Sequence, residues 1–228
     1  MKPFSIIVPT FREAAEIEAR LRTLQTLRSQ AEILVVDGGS DDGTAKLARP
    51  WADRVMTAPR GRGGQLNAGA RAAQGEVLLF LHADTRLPDG ALNEIHRALA
   101  DNHRWGRFDV ALDGRAPLLW LVAVMMNLRS RLTGIATGDQ AIFVTQEAFG
   151  RVGGFPVQPL MEDIELCRRL KNLGSPVCLK AKVVTSARRW ESVGVIRTIL
   201  LMWWLRLRYF LGADPNRLAW LYREGRFG

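Results

Sequence analysis

Cysteine is scarce in this chain of 228 residues, and low-complexity or repeated segments are lacking. The two cysteines, Cys167 and Cys178, do not form a metal-binding spacing. We expect two buried, unpaired thiols in a reducing compartment. Because 47% of the residues are hydrophobic, the composition predicts a packed core and argues against disorder.

Apolar stretches long enough to cross a bilayer are also lacking. Residues 116–126 are too few, and the longer stretch 193–211 is interrupted by Arg197, Arg206 and Arg208. The chain enters a strand pattern directly after its first three residues, without the pattern of a signal peptide. We therefore expect a cytoplasmic protein, and association with the inner membrane face stays open.

Positive charge is concentrated near the C-terminus. The formal net charge is +9, and residues 180–228 hold ten Lys/Arg against three Asp/Glu, together with four of the seven tryptophans. Basic residues mixed with Trp and Leu suit an anionic membrane surface. No nucleic-acid motif accompanies them, so we expect no nucleic-acid partner. The alternatives for this tail are a basic helix packed on the core and a homodimer interface.

Strands alternate with helices over residues 1–100. Apolar runs predict buried parallel strands at 4–8, 32–37 and 76–81, and residues 54–57 are a candidate for a further strand. Helical patterns lie between and after them, at 13–27, 40–48, 64–73 and 88–100. This alternation predicts an α/β fold, with a doubly wound, mostly parallel sheet flanked by helices. Polar residues that follow the strands should meet in one crevice beyond the carboxyl ends of the sheet.

The second half is less regular. An exposed strand is predicted at 107–112, an apolar helix at 116–132, a strand at 140–144, helices at 146–152 and 161–173, and a last strand at 176–184. No linker rich in Pro, Gly or Ser interrupts the chain. We therefore predict one domain over 1–190, followed by a helical, basic and aromatic extension over 191–228.

Two loops that follow predicted strands carry candidate binding residues. In 35–44, Asp37 is followed by two glycines, which allow close approach of a flat ligand, and Ser40 can cap the next helix. In 81–88, Asp84 is a hard oxygen ligand of the type that Mg²⁺ or Mn²⁺ prefers beside substrate phosphates, and His82 is close to it. Taken alone, each loop could equally be an ordinary turn with a capping residue.

Two helix starts carry further candidates. Glu162 and Asp163 begin an apolar helix, where the helix dipole stabilises carboxylates, and an ionised Asp163 could accept a proton from an attacking hydroxyl. The glycine-rich entry at 61–70 lies beside Arg60 and Arg62, which favour phosphate oxygens. A purely structural role is the alternative for both.

Taken together, these motifs resemble the family 2 glycosyltransferases, which have the GT-A fold. The matching segments are SIIVPTFRE, VVDGGSDDGT, LNAGARAAQGEVLLFLHAD, TGDQAIFVTQEAFGRVGGFP, MEDIELCRRL and SARRW. The resemblance covers roughly residues 4–190. The HADT and GRGGQLNAGA forms are similar to the small bacterial branch associated with radical-SAM and selenium-domain proteins. Arg12, His82 and Ser186 stand where the family usually has Asn, Asp and Gln.

The resemblance implies a donor-binding half over 1–100, an acceptor half over 101–190, and a role for each matched residue. Asp163 would be the general base, assisted by Glu162, and Asp84 would be the metal ligand. The residues implied to contact the nucleotide sugar are Pro9, Thr10, Glu13, Asp37, Gly38, Asp42, Arg62, Asn67, His82, Ala83, Asp84, Asp139, Arg189 and Trp190.

The reaction implied by the resemblance is inverting transfer of a sugar from a nucleotide diphosphate to an acceptor hydroxyl, with Mg²⁺ or Mn²⁺ as cofactor. The acceptor is unknown, and a lipid-linked one is possible if the tail meets a membrane. One alternative is a sugar nucleotidyltransferase, although residues 9–13 lack the glycine-rich loop of such enzymes. The other is a non-catalytic module that binds a membrane surface or RNA.

Overall fold

The structure, a computed structural model, describes residues 2–225. Within that range the chain forms eight strands: β1 (Phe4–Thr10), β2 (Ala31–Asp37), β3 (Arg54–Thr57), β4 (Val77–Phe80), β5 (Thr85–Arg86), β6 (Trp105–Asp113), β7 (Phe143–Thr145) and β8 (Val177–Ser186). The ten α-helices of the same range are α1 (Ile17–Thr23), α2 (Thr44–Ala48), α3 (Arg62–Ala72), α4 (Ala91–Ala100), α5 (Leu119–Thr133), α6 (Gln146–Arg151), α7 (Glu162–Lys171), α8 (Arg188–Val193), α9 (Val195–Phe210) and α10 (Pro215–Glu224).

The strands form one sheet in the order β3-β2-β1-β4-β7-β6-β8-β5. The first three neighbouring pairs are parallel, as is β6 with β8, whereas β7 runs antiparallel to both its neighbours and β5 runs antiparallel to β8. The predicted α/β fold with a mostly parallel sheet is therefore confirmed. The prediction at 54–57 has the same bounds as β3.

Both faces of the sheet are buried at β1 and β2, which explains why these strands are almost entirely apolar. Side chains of successive strand residues point to opposite faces. Ile6 and Ile33 accordingly belong to one buried cluster, while Ile7 and Leu34 belong to a second cluster on the other face. An alternating pattern would leave one of these faces polar, so the runs in β1 and β2 require helices on both sides.

The strand predicted as exposed at 107–112 is instead an interior strand of the sheet, and this correction has a clear cause. Trp105 to Val110 are buried in β6, and Arg107 is fully buried. Its guanidinium is hydrogen-bonded to the Asp109 carboxylate and to the backbone carbonyl of Asn127. The polar half of the alternation therefore reflects an internal ion pair and no contact with solvent.

Several other bounds differ from their predictions. The helix predicted to begin at residue 13 begins at Ile17, because the backbone N–H groups of Glu13 and Ala14 donate to the side chains of Thr44 and Asp42. The strand predicted at 140–144 is β7, which begins only at Phe143. Cys167 is buried as expected, but Cys178 is only half-buried, and both thiols are free.

The basic tail packs on the domain through a third buried cluster. Leu201 and Leu205 of α9 and Leu218 of α10 pack with Leu160 and Met161, which precede α7. The helices predicted for the tail are present, and its last three residues, 226–228, lie outside the described range. Among residues 2–225, no helix combines the length and apolar character needed to cross a bilayer.

Candidate active site

Two cavities meet beyond the sheet and share one wall. The smaller has a volume of about 240 Å³, and the larger has a volume of about 770 Å³. Arg62, His82 and Asp84 line both of them. Because Asp84 follows β4 and the smaller cavity is also lined by the end of β1, this wall lies at the carboxyl ends of the parallel strands, where α/β sheets bind ligands.

The smaller cavity is built mainly by the end of β1 and the loop after it. Pro9, Thr10, Glu13 and Ala83, which are predicted donor-binding residues, line it. Gln65, which the sequence did not single out, also lines it, and its buried side-chain amide donates to the carbonyls of Thr10 (2.9 Å) and Val36 (2.8 Å). This residue of α3 therefore fixes the ends of β1 and β2.

Asp37 ends β2 and is hydrogen-bonded entirely within its own loop and β1. Its buried carboxylate accepts hydrogen bonds from the backbone N–H groups of Gly39 (3.0 Å) and Ser40 (2.7 Å), and from the hydroxyls of Ser40 (2.6 Å) and Thr10 (3.3 Å). The prediction that Ser40 caps the next helix is wrong, because α2 begins only at Thr44 and the Ser40 hydroxyl accepts from the Arg12 backbone. Asp37 lines neither cavity as the loop stands.

Asp42 and Gly38 likewise support the loop. Asp42 accepts hydrogen bonds from the hydroxyl (2.5 Å) and backbone (3.0 Å) of Thr44 and from the backbone of Ala14 (3.1 Å), and these bonds, the Thr44 hydroxyl first, lower the pKa of Asp42. A Cβ at Gly38 would press on the Gln65 amide. Neither residue lines either of the two cavities described above, so contact with a donor from either stays a prediction.

Asp84 supplies the carboxylate of the shared wall. Its Oδ1 is 3.3 Å from the Thr85 hydroxyl and 3.4 Å from the Thr185 hydroxyl, and its Oδ2 is 4.0 Å from an Arg188 nitrogen. Within residues 2–225, no three His, Cys, Asp or Glu side chains are grouped to hold a metal ion. Asp84 itself is a half-buried carboxylate that faces both cavities, and a hard oxygen ligand of this kind fits Mg²⁺ or Mn²⁺ bound alongside substrate phosphates.

Arg188 lies beside this wall, in the lining of the larger cavity, and the sequence analysis missed it. Its guanidinium lies 3.4 Å from Glu13 and 3.3 Å from Glu16, in addition to its approach to Asp84. Burial raises the pKa of Glu13, and the positive charge of Arg188 opposes that rise. The available signal was the doubled arginine of SARRW, of which only Arg189 corresponds to the family motif.

Asp163 lies at the start of α7 and lines the larger cavity. One of its oxygens accepts from the backbone N–H of Gly138 (2.9 Å), and the other accepts from the backbone N–H of Ile164 (2.8 Å). These two bonds fix the orientation of the carboxylate without a cation. The preceding Glu162 is buried and pairs with Arg62 at 3.1 Å. Burial raises the pKa of Glu162, and Arg62 opposes the rise.

His82 occupies the position of the family's first metal-binding Asp, and the structure pairs it with another predicted residue. Its Nδ1 lies 3.3 Å from the carboxylate of Asp139. Burial alone would lower the pKa of His82, but the hydrogen bond to Asp139 and nearby negative charge raise it overall. The ring also covers Gly138, where a Cβ would overlap it. His82 therefore fixes the segment that donates to Asp163.

Of three further predicted residues, two line the larger cavity and one lines neither cavity. Trp190 and Arg189 line the larger cavity. The Arg189 guanidinium also donates to the Tyr222 carbonyl at 2.7 Å and lies 3.6 Å from the centre of the Tyr222 ring, so it holds α10 in place. Asn67 lines neither cavity, because both ends of its amide bond the backbone of Phe155, at 2.8 and 3.0 Å.

Comparison with known protein families identifies the family to which this chain belongs. The model for Glycosyl transferase family 2 matches residues 5–145, which is more than half of the chain. The chain belongs to glycosyltransferase family 2. Relatives of this family 2 chain are named as glycosyltransferases, so the protein is a glycosyltransferase.

Curated relatives of this family 2 chain include proteins named for lipid phosphates. Dolichyl-phosphate beta-glucosyltransferase of Mus musculus is 24% identical over an alignment of 265 positions, which covers 93% of this chain and 77% of that protein. Undecaprenyl-phosphate 4-deoxy-4-formamido-L-arabinose transferase of Pseudomonas fluorescens is 28% identical over 162 residues, which cover 61% and 46% of the two chains. The matched region spans less than half of the second relative.

Solved structures confirm the GT-A fold of this family 2 enzyme. A mannosyltransferase from Pyrobaculum calidifontis, solved with GDP-Man and Mn²⁺, has a TM-score of 0.64 and 26% identity, with 80% of this chain and 56% of that chain covered. Glucosyl-3-phosphoglycerate synthase from Mycobacterium tuberculosis, solved with Mn²⁺ and UDP, has a TM-score of 0.62 and 20% identity, with 87% and 79% covered. These neighbours bind nucleotides together with Mn²⁺.

Proposed function

We propose that this enzyme transfers a sugar from a nucleotide diphosphate to an acceptor hydroxyl with inversion, and that Asp163 is the general base. The observation that carries the proposal is the position of Asp163 on the wall of the larger cavity, held by the backbone N–H groups of Gly138 and Ile164. Both bonds hold the carboxylate in one orientation at the cavity wall, and a positioned carboxylate can accept the proton of an attacking hydroxyl.

The donor would lie across the shared wall, with its nucleoside in the smaller cavity. Pro9, Thr10 and Glu13 would contact the nucleoside, and Arg62 and Arg188 would face the diphosphate. Asp84 would hold Mg²⁺ or Mn²⁺ together with diphosphate oxygens, and the bound ion would neutralise charge on the leaving group. The Mn²⁺ in two structural neighbours supports this assignment.

In the chemical step, the acceptor oxygen forms a bond to the anomeric carbon, and the bond from that carbon to the diphosphate breaks. The electron pair of the broken bond leaves with the nucleoside diphosphate, and the acceptor proton passes to Asp163. Glu162 would position its neighbour through its buried pair with Arg62. Asp139 would keep His82 in place over Gly138.

The acceptor that the larger cavity favours is lipid-linked. Leu121 and Met125 of α5 and Met202 and Trp203 of α9 line this cavity. Both helices continue onto the surface with exposed apolar side chains, including Trp120 at 67% and Phe210 at 86% exposure. An apolar face beside basic residues suits the surface of an anionic membrane. The relatives named for dolichyl and undecaprenyl phosphates support the same acceptor class.

The test is donor turnover with Mn²⁺ present. We expect release of a nucleoside diphosphate and free sugar, whereas release of pyrophosphate would contradict a transferase. Asp163→Asn should retain donor affinity and lose about 10²- to 10⁴-fold in kcat, the usual contribution of a general base. Asp101→Asn, an exposed change outside both cavities, is the matched control. Normal turnover of Asp163→Asn would remove Asp163 from the role of base.

A further inference from the structure

The larger cavity takes part of its lining from the C-terminal tail. Tyr222 of α10 lines this cavity together with Arg62, Asp139 and Asp163 of the domain. The family model ends at residue 145, and the resemblance of the sequence motifs ends near residue 190, so neither assigns a role to Tyr222. The tail was predicted to pack on the core, to form a dimer or to meet a membrane. The structure shows in addition that it completes a wall of the candidate active site.

Tyr222 has a fixed place in this wall. The Arg189 guanidinium donates to its backbone carbonyl at 2.7 Å and lies 3.6 Å from the centre of its ring, which is a cation–π contact. Arg197 donates to the carbonyl of Gly225, the residue that caps α10, at 3.0 Å. Leu218 of the same helix is buried in the third cluster. Two arginines and an apolar contact therefore hold the end of α10 against the cavity.

The hydroxyl of Tyr222 is available to a ligand. Within residues 2–225 it makes no hydrogen bond, and it is not among the fully buried polar atoms without partners, so it faces open space. Burial raises the pKa of this phenol, and the charges of Arg189 and Arg62 oppose the rise. The charges of Asp139 and Asp163 add to it. All four charged groups line the larger cavity, so the space that the hydroxyl faces is this cavity.

The same charges locate the hydroxyl between the two ends of the proposed reaction. Arg62 belongs to the wall shared by both cavities, where the donor diphosphate is proposed to lie. Asp163, the proposed base, lines only the larger cavity of the two. In an inverting displacement the transferred sugar lies between the leaving diphosphate and the base. A hydroxyl that is electrostatically close to both Arg62 and Asp163 is therefore placed beside the sugar.

A second polar group at the same place also lacks a partner. Nε of Arg189 is buried and makes no hydrogen bond within the described residues. Buried donors of this kind are usually satisfied by a ligand or by an ordered water. The guanidinium of Arg189 lies on the ring of Tyr222, so the two groups are neighbours. A sugar carries several hydroxyls that both donate and accept, and it could satisfy a guanidinium and a phenol together.

We infer that the hydroxyl of Tyr222 hydrogen-bonds a hydroxyl group of the transferred sugar, so that the tail takes part in selecting the donor. A site that is built to bond a substrate hydroxyl discriminates against ligands that lack it. This inference rests on the proposed function. It adds a residue that recognises the sugar, whereas the residues of the smaller cavity are proposed to recognise the nucleotide.

The experiment is a calorimetric binding titration of the full chain with Mn²⁺ present. The ligands are UDP-glucose and GDP-mannose, each compared with its own nucleoside diphosphate. Tyr222→Phe removes the hydroxyl but keeps the ring and the carbonyl that contact Arg189, so the fold should be retained. For the nucleotide sugar that the unmodified protein binds more tightly, we expect the affinity to fall about 3- to 10-fold, the usual contribution of one neutral hydrogen bond. The affinity for its nucleoside diphosphate should stay the same.

Tyr209→Phe is the matched control, because Tyr209 is the only other tyrosine of the chain. It lies on α9 outside both cavities, and its hydroxyl accepts from the Gln158 amide at 3.2 Å. This variant should bind both ligands as the unmodified protein does. Equal losses of affinity for the nucleotide sugar and the nucleoside diphosphate in Tyr222→Phe would overturn the inference. Unchanged affinity for both, or the same loss in Tyr209→Phe, would also overturn it.

Failure of this inference is separable from failure of the proposed function. Donor turnover with Mn²⁺ is measured on the same preparations. If the unmodified protein turns over a donor and Tyr222→Phe binds that donor normally, the role of Tyr222 is wrong and the transferase stands. If the unmodified protein binds neither nucleoside diphosphate, the proposed donor class is wrong, and the inference falls with it.

Discussion

The loop after β2 and the larger cavity use charged side chains in opposite ways. Asp37 and Asp42 satisfy almost all of their hydrogen-bonding capacity with neighbouring backbone and hydroxyl groups. Arg129 and Arg206 keep buried donors unpaired within the described structure. Carboxylates of the first kind hold a loop in shape, whereas buried donors of the second kind are usually completed by a ligand or an ordered water. Function on the donor side should therefore depend on loop shape, and on the acceptor side on individual charges.

A substitution in the wall that the two cavities share should have the largest effect on activity. Asp84→Asn removes the acid of the shared wall that we propose to hold the metal, and we expect kcat/KM to fall about 10²- to 10³-fold, which corresponds to about 3–4 kcal/mol. The Mn²⁺ concentration needed for half-maximal activity should rise. Asp89→Asn, an exposed change in the same segment, is the control. Unchanged Mn²⁺ dependence in Asp84→Asn would show that the metal is held elsewhere.

A scaffold residue on the donor side should instead affect stability. Asn67→Ala leaves the backbone N–H and carbonyl of Phe155 without partners, and we expect a loss of about 2 kcal/mol, or about 4–8 °C in Tm. Asn93→Ala, exposed on α4, should have little effect. Thermal unfolding measures both variants. A stable Asn67→Ala protein with weakened donor binding would favour the role that the family resemblance implies and would weaken the contrast between the two regions.

The apolar surface beside the larger cavity should govern membrane contact. Replacing Trp120 and Phe210 together by Glu should reduce sedimentation with anionic liposomes about tenfold, because two exposed apolar side chains become charged. Leu47→Glu, an exposed apolar position on α2 in the donor half, is the control. Equal sedimentation of the two variants would mean that α5 and α9 are not the membrane contact. Truncation of the tail is a poor alternative, because α9 packs against Leu160 and Met161.

The smallest expected effect is on the pH dependence of the protein's stability, through Glu162. Burial raises the pKa of Glu162 in the folded state, so the folded protein binds more protons than the unfolded chain between the ordinary pKa and the raised one. The contribution of Glu162 to stability is therefore greatest at low pH and is lost as the pH rises through this window. In Glu162→Gln this slope should disappear, and the stability of the variant relative to wild type should increase with pH. Parallel pH profiles would contradict this assignment.

The sequence predicted local structure well wherever one residue type dominated a segment. The largely apolar runs of β1 and β2 were found because both of their faces are buried. The bounds of β3 were also found, although its two end residues are exposed. The two-residue strand β5 was missed because it exists only through its pairing with β8, about 100 residues away. Arg107 misled the prediction for β6 because its partner, Asp109, lies in the same strand.

A residue of the candidate site could be predicted where its own sequence segment identified it. Asp84 and Asp163 were recognised from their segments, and the structure places both on one cavity. Arg188 was not recognised, since its contacts with Glu13 and Asp84 join residues far apart in sequence. Arg129 lies in the polar C-terminal half of α5, beside Ser130 and Arg131, so no local signal distinguished it, and only the folded neighbourhood shows that its donors are buried without partners.

The pairing of Arg188 with Glu13 has a consequence for how the protein is made. These residues are 175 positions apart, and the pair lies beside the wall where donor and metal are proposed to bind, with Glu13 in the smaller cavity and Arg188 in the larger one. During synthesis the N-terminal strands can form early, but this wall remains incomplete until β8 and α8 have left the ribosome. A nucleoside diphosphate should therefore protect the nascent chain against proteolysis only late in translation. The onset of this protection would mark the point at which the C-terminal third has folded onto the first strand.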